Sequence, residues 1–150
     1  METFLAGVPM DVAVPKEVEK ECYGVKKTLD AHMIQKAIGQ SRIRSIAVKN
    51  KKIVAKLQTD FSLGKGEAEA IALALSERAQ LMGIDDKNGI NACKLLGVPF
   101  ITAAGILIRC REKDLITLSD ALLKLALLTN YGRYRDSIVE DVRTRLETSR

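Results

Sequence analysis

The stretch Leu63-Gly64-Lys65-Gly66-Glu67-Ala68-Glu69-Ala70-Ile71-Ala72-Leu73-Ala74 decides the fold, because in it a polar loop opens directly into an apolar helix. The pattern predicts a loop over residues 62–66 and a helix over residues 67–79. A second acidic segment, Ile84-Asp85-Asp86-Lys87-Asn88, follows a short apolar run that is typical of a buried strand. Both acidic segments therefore lie where a predicted strand or helix begins or ends.

Short apolar segments alternate with helical patterns along the rest of the chain. Strands are predicted at 11–14, 43–48, 81–84 and 98–102, and helices at 16–23, 29–38, 89–96, 103–111, after Thr117 and at 136–146. A polar turn is predicted at 49–52, and 53–57 fits either a strand or a short helix. This alternation predicts an α/β fold, with three α/β/α layers around a mostly parallel central sheet. Functional sites of such sheets lie beyond the carboxyl ends of the strands, where the acidic segments fall.

The composition limits the classes of function. A length of 150 residues favours a single domain over residues 1–150, with 47% apolar and only 4% aromatic residues. The formal net charge of +5 is compatible with a polyanionic partner but does not require one. No signal peptide begins the chain, and no apolar run approaches the length of a membrane helix.

The metal-ligating residue types exclude a soft metal site. Cys22, Cys93 and Cys110 are far apart in sequence, and His32 is the only histidine, which argues against zinc. Free thiols in a reducing cytoplasm are the expected state of the cysteines. Any bound metal would be a hard ion held by oxygen, namely Mg²⁺ or Mn²⁺.

The acidic residues are the candidate ligands. Helical spacing places Glu67 on the predicted buried stripe and Glu69 roughly opposite. Because an inward carboxylate needs a partner, Glu67 is predicted to hold a metal, and Glu69 is interpreted as an acid that favours the helix dipole. Asp85 and Asp86 repel each other unless a cation or donors lie nearby. At least one is predicted to be a ligand, and the alternative is a turn with a helix cap.

Two basic regions could contact phosphates, or could be ordinary charged surface. The first comprises Arg42, Arg44, Lys49, Lys51, Lys52 and Lys56, and the second is Tyr131-Gly132-Arg133-Tyr134-Arg135. The predicted RNA-binding residues are Lys51, Lys52, Lys65 and Arg133.

At these segments the chain resembles the PIN-domain superfamily, the Mg²⁺/Mn²⁺-dependent ribonucleases that include VapC-type toxins. The stretch from Leu63 to Ala74 is the strongest match, with Glu67 in the place of the helix-opening acid. Ile84-Asp85-Asp86-Lys87 resembles the acidic strand end, and Val12-Ala13-Val14-Pro15 with Val18 and Glu21 resembles the second strand and its V-x-x-E helix. The resemblance implies an endoribonuclease with RNA as substrate, an antitoxin as a partner, and a metal site of Glu21, Glu67, Asp85 and Asp86.

The chain departs from the family pattern in two places. The first family strand, with its essential Asp, is expected to be missing, because Met1 lies only a short distance before Pro15. An Arg expected near Ile90 is also absent. An inactive RNA- or protein-binding module is therefore the alternative, and a structural subunit is a third hypothesis. A homodimer is expected, since a second copy could cover apolar helix faces that a missing strand exposes.

Overall fold

The structure is a computed structural model that describes residues 10–23, 29–132 and 134–149. The described chain divides into two compact units, an N-terminal unit over Met10–Phe100 and a C-terminal unit that begins at Ile101. Each unit has its own cluster of buried apolar side chains. The prediction of one domain over residues 1–150 stays a prediction.

The N-terminal unit alternates strands and helices. Its elements are β1 (Val12–Pro15), α1 (Lys16–Tyr23), α2 (Leu29–Gly39), β2 (Ile43–Ile46), α3 (Lys51–Phe61), α4 (Lys65–Glu77), β3 (Met82–Gly83), α5 (Lys87–Leu96) and β4 (Phe100–Ile101), whose last residue lies at the boundary between the units. The predicted α/β class is confirmed, although helices outweigh strands in the described residues.

The strands of the described residues form two pairs. β1 and β2 are parallel, with Val12 opposite Ile43 and Pro15 opposite Ile46. Parallel neighbours need a crossover, and α1 and α2 provide it. The second pair is β3 with β4, next to which the Met82 N–H donates to the Pro99 carbonyl at 2.9 Å.

Helix α4 lies at the centre of the N-terminal core. Its buried residues are Gly66, Ala68, Glu69, Ile71, Ala72, Leu73 and Ala74, so this helix is covered on most of its circumference. Val54 and Leu57 of α3 and Ala92 and Cys93 of α5 belong to the same apolar cluster. Small alanine side chains let these neighbours approach α4 closely, which explains why the stretch quoted first organises the unit.

The predictions for residues 49–57 change in the structure. Residues 51–61 are helical, which resolves the ambiguity at 53–57 and shows that the predicted turn at 49–52 is wrong in its second half. The side chain of Asn50 accepts a hydrogen bond from the Ile53 N–H at 3.1 Å, so it caps α3. Lys51 and Lys52 therefore belong to the first turn of a helix.

The C-terminal unit is a set of three helices, α6 (Ala103–Glu112), α7 (Leu118–Tyr131) and α8 (Asp136–Thr148), in the described residues. The helix predicted after Thr117 is confirmed, and the Thr117 hydroxyl oxygen caps it by accepting from the Asp120 N–H at 3.1 Å. One face of α7 lies in the core of this unit, since Ala121 and Leu125 are buried with Leu107 and Val142 in one cluster.

The cysteines have the free thiol state that the sequence predicts. All three cysteines are free thiols, and burial raises the pKa of Cys93 and of Cys110. None of the helices in the described ranges combines the length and apolar character that crossing a bilayer requires.

Candidate functional site

The first turn of α4 decides which acid faces the protein interior. The helix begins at Lys65, two residues earlier than predicted, so Glu67 is its third residue. The Glu67 carboxylate folds back and accepts a hydrogen bond from the Gly64 N–H at 2.9 Å, one half of a capping box. The predicted inward orientation of Glu67 is therefore wrong. Its role as a metal ligand stays a prediction.

Glu69, in contrast, is buried. It is only 3% exposed, and it is the single charged residue in the buried core of the described chain. The Lys51 Nζ donates to its Oε1 at 2.9 Å, while the Lys51 side chain itself is 67% exposed. The orientation expected for Glu69, opposite the buried face, is thus wrong. A buried carboxylate without such a cation would be costly, so the ion pair explains how the core tolerates it.

A second carboxylate reaches the same turn from α1, which packs against α4. A Cβ atom added at Gly66 would lie 2.6 Å from each carboxylate oxygen of Glu21, so the Glu21 head group rests on this glycine. Residues three apart share a face of a helix, which places Gly66 and Glu69 together. Glu21 and Glu69 therefore border one face of the first turns of α4.

A lysine and a third carboxylate complete the arrangement. The Lys65 Nζ donates to Glu17 Oε2 at 2.8 Å. This hydrogen bond raises the pKa of Lys65, and the carboxylates of Glu69 and Glu21 raise it further. The same bond lowers the pKa of Glu17. We call the group Glu17, Glu21, Lys51, Lys65, Gly66 and Glu69 the α4 acidic site.

The Glu17–Lys65 pair predicts a pH-dependent part of the stability. Because the pKa of Glu17 is lowered in the folded protein, its contribution is present above the ordinary value of 4.5 and is lost as the pH falls through the folded value. The difference in free energy of unfolding between the wild type and Glu17→Gln should be constant near neutrality and shrink in acid. Urea unfolding at several pH values measures it.

Lys65→Met provides the control for this pH dependence. In its background, Glu17→Gln should change the stability by nearly the same amount at every pH, because the main partner of Glu17 is gone. A wild-type difference that does not shrink in acid would contradict the pairing.

The second acidic segment caps a helix. Asp86 accepts hydrogen bonds from the N–H groups of Asn88 at 2.8 Å and Gly89 at 3.0 Å, so it is the N-cap of α5. This is the alternative interpretation that the sequence left open. Asp85 is exposed, two residues after the end of β3. The ligand roles of Asp85 and Asp86 stay predictions.

The basic residues are partly paired. Arg44 donates to both carboxylate oxygens of Asp11 at 2.7 and 2.6 Å, and Lys56 pairs with Asp60 at 2.9 Å. Lys52 is exposed and forms no ion pair with the described residues. Arg133 lies outside the described residues. The RNA-binding roles of Lys51, Lys52, Lys65 and Arg133 stay predictions.

The α4 acidic site fits a hard divalent ion in the chemistry of its donors. The described residues contain no group of three or more His, Cys, Asp or Glu side chains that converge on one point. Mg²⁺, however, keeps several waters and is commonly held by one or two carboxylates together with substrate phosphates. Glu21 and Glu69 supply two carboxylates at one helix face, so the fit depends on donors from a phosphate and from water.

Comparison with known proteins identifies the family. Neither the curated proteins nor the solved structures contain a match to the chain. A family model described as PIN domain matches residues 3–148, nearly the whole sequence. The resemblance drawn from the acidic segments is confirmed, and it agrees with the observed α/β unit around α4. The chain therefore belongs to the PIN-domain family.

Proposed function

We propose that the chain is a PIN-type endoribonuclease, which hydrolyses RNA phosphodiester bonds with the help of Mg²⁺ or Mn²⁺. The observation that carries the proposal is the buried carboxylate of Glu69, on the face of α4 where the Glu21 carboxylate rests on Gly66. A core of alanine, leucine and isoleucine side chains would be at least as stable with an apolar residue at position 69. A carboxylate at position 69 that lowers the stability of the fold therefore supports a catalytic role for Glu69.

Glu21 and Glu69 would hold the divalent ion. Glu17 belongs to the same site because its carboxylate accepts a hydrogen bond from Lys65. When bound, such an ion polarises a phosphate oxygen and lowers the pKa of a water nucleophile. The chain's own residues supply the rest. Gly66 leaves space for the Glu21 carboxylate, and the N-terminal end of α4 favours negative charge near the site.

The lysines of the site are suited to the phosphates of RNA. Lys51 and Lys65 are more than half exposed, so their ammonium groups can reach a backbone phosphate from the protein surface. Lys52 adds a further exposed cation on the first turn of α3. We propose these three lysines, with Arg133, as RNA contacts that position a phosphodiester beside Glu21 and Glu69.

The partners and the compartment complete the proposal. Family membership suggests an antitoxin protein as the inhibitory partner, and the active form would be a homodimer in which a second copy covers exposed apolar helix faces. We expect the activity in the cytoplasm, which the three free thiols support, since such thiols persist in reducing compartments.

A non-catalytic RNA- or protein-binding module is the second candidate function. The observation in its favour is that Glu69 and Glu17 are each already paired with a lysine. Such pairs neutralise the carboxylates and leave a mixed-charge surface without any bound ion. This candidate predicts RNA binding that weakens with salt and needs no divalent metal.

A cleavage assay separates the two candidates. Fluorescent single-stranded RNA is incubated with the full chain in Mn²⁺, in Mg²⁺ and in EDTA, and the products are resolved on a denaturing gel. Metal-dependent fragments are the expected result. RNA that is bound in a salt-sensitive manner but stays intact with both ions would overturn the nuclease and favour the binding module.

A further inference from the structure

Lys51 and Glu69 form a contact that the proposed chemistry cannot keep. The Lys51 ammonium lies 2.9 Å from Oε1 of Glu69, and the carboxylate has almost no other exposure to solvent. A divalent cation that approached the same oxygen would meet this positive charge at short range. Like charges repel strongly where a site is partly buried, so the ammonium and the ion compete for Glu69.

The two partners of this ion pair differ in their freedom to move. Glu69 is buried in the second turn of the packed helix α4, whereas Lys51 is 67% exposed at the first residue of α3. Its four-carbon side chain can therefore swing away from α4 while the backbone of both helices stays in place. A lysine ammonium that leaves a carboxylate is stabilised if it finds another anion, and a phosphate is a strong one.

We infer that Lys51 is a latch on the α4 acidic site: it holds Glu69 until an RNA phosphate takes over its ammonium, and only then does Glu69 accept a divalent ion. This inference rests on the proposed function for the identity of the ion and of the polyanion. It predicts that RNA and the metal bind with positive coupling. By linkage, each ligand then increases the affinity of the other by the same factor.

Two glutamine variants test the latch in the absence of RNA. Lys51→Gln removes the charge but keeps an N–H donor for Glu69, so the buried carboxylate is not left without a hydrogen bond. Lys49→Gln removes the same charge from a nearby exposed position, outside the proposed RNA contacts, and is the matched control. Mn²⁺ is titrated into each full chain, and free Mn²⁺ is followed by electron paramagnetic resonance. Lys51→Gln should bind Mn²⁺ about tenfold more tightly than the wild type, in the usual range of coupling.

The control variants define the result that overturns the latch. Lys49→Gln should stay within about twofold of the wild type, and Lys51→Arg, which keeps the charge, should bind Mn²⁺ as weakly as the wild type. Equal gains in Lys51→Gln and Lys49→Gln would show an effect of net charge alone and would overturn the latch. No measurable Mn²⁺ binding by any variant would overturn the latch as well.

The coupling itself is measured with a polyanion that resists cleavage. A single-stranded 2′-O-methyl RNA with phosphorothioate linkages keeps the backbone charge, and the wild type can be tested with it directly. It should tighten Mn²⁺ binding by the wild type towards the value of Lys51→Gln and have little effect on that variant. If the polyanion tightens Mn²⁺ binding equally in the wild type and in Lys51→Gln, the proposed transfer of the Lys51 ammonium from Glu69 to a phosphate is overturned.

The outcome is distinguishable from a failure of the proposed function. If Lys51→Gln binds Mn²⁺ more tightly but the wild type cleaves no RNA, the latch stands and the nuclease is overturned. If the wild type cleaves RNA but Lys51→Gln shows unchanged Mn²⁺ affinity, the latch is overturned and the nuclease proposal stands.

Discussion

Replacing Glu69 with glutamine should lower RNA cleavage by roughly a hundredfold or more, the usual cost of removing one electrostatic stabiliser from a catalytic centre. Glutamine has nearly the same volume as glutamate, and its carbonyl oxygen can still accept from Lys51. The packing around position 69 should therefore survive the change, while the negative charge that would hold the ion is lost. The initial rate of cleavage in Mn²⁺ measures the effect.

Two matched variants on the same helix make this result specific. Glu77→Gln changes an exposed acid at the other end of α4 and should cleave at the wild-type rate. Glu67→Gln preserves the capping box, since glutamine also fits its third position, so a loss of cleavage in this variant would report the predicted ligand role of Glu67 rather than a change of fold. Wild-type cleavage by Glu69→Gln, or a loss confined to Glu67→Gln, would contradict the assignment of the buried acid.

Replacing Gly66 with alanine should separate activity from stability. The added Cβ would lie 2.6 Å from both carboxylate oxygens of Glu21, so the head group has to move away from α4. A displacement of about 1 Å at a catalytic centre can cost about a hundredfold in rate. Alanine is also the better helix former, by about 1 kcal/mol, which offsets the cost of moving a flexible side chain. We therefore expect a large loss of cleavage with little or no loss in the free energy of unfolding.

Gly39→Ala is the control for this second experiment. Gly39 is also a helical glycine, the last residue of α2, and an added Cβ there would meet no atom within 4 Å. It should leave cleavage unchanged. If Gly66→Ala cleaves RNA as well as Gly39→Ala does, the position of Glu21 on α4 has no part in the chemistry. Urea unfolding and cleavage are measured on the same samples, so that loss of fold is recognised.

The orientation of the acids could not be obtained from helical spacing. A stripe of buried residues is visible in a sequence when the opposite face of the helix is polar. Helix α4 has alanine, leucine or isoleucine around most of its surface and is buried on most sides. Its pattern therefore had no polar face from which the direction of Glu67 or Glu69 could be inferred.

A local pattern did contain information about Glu67. An acid three residues after a helix cap is the spacing of a capping box, and Gly64 and Glu67 have that spacing. A local pattern was also informative at α5, where the sequence left a helix cap as the alternative to a ligand role, and Asp86 is the cap. Glu69 could not be found in this way, because its partner Lys51 is distant in sequence and was expected in a turn.

The sequence by itself determined the α/β class, the family and most helix boundaries, because caps, glycines and apolar periodicity act over a few neighbouring residues. Only the tertiary structure decided which carboxylates lie along the first turns of α4. Glu21, Lys51 and Glu69 come from three different helices, and the packing of α1 and α3 against α4 brings Glu21 to Gly66 and Lys51 to Glu69. Side chains distant along the chain become neighbours only when the apolar core forms, and local patterns do not record that step.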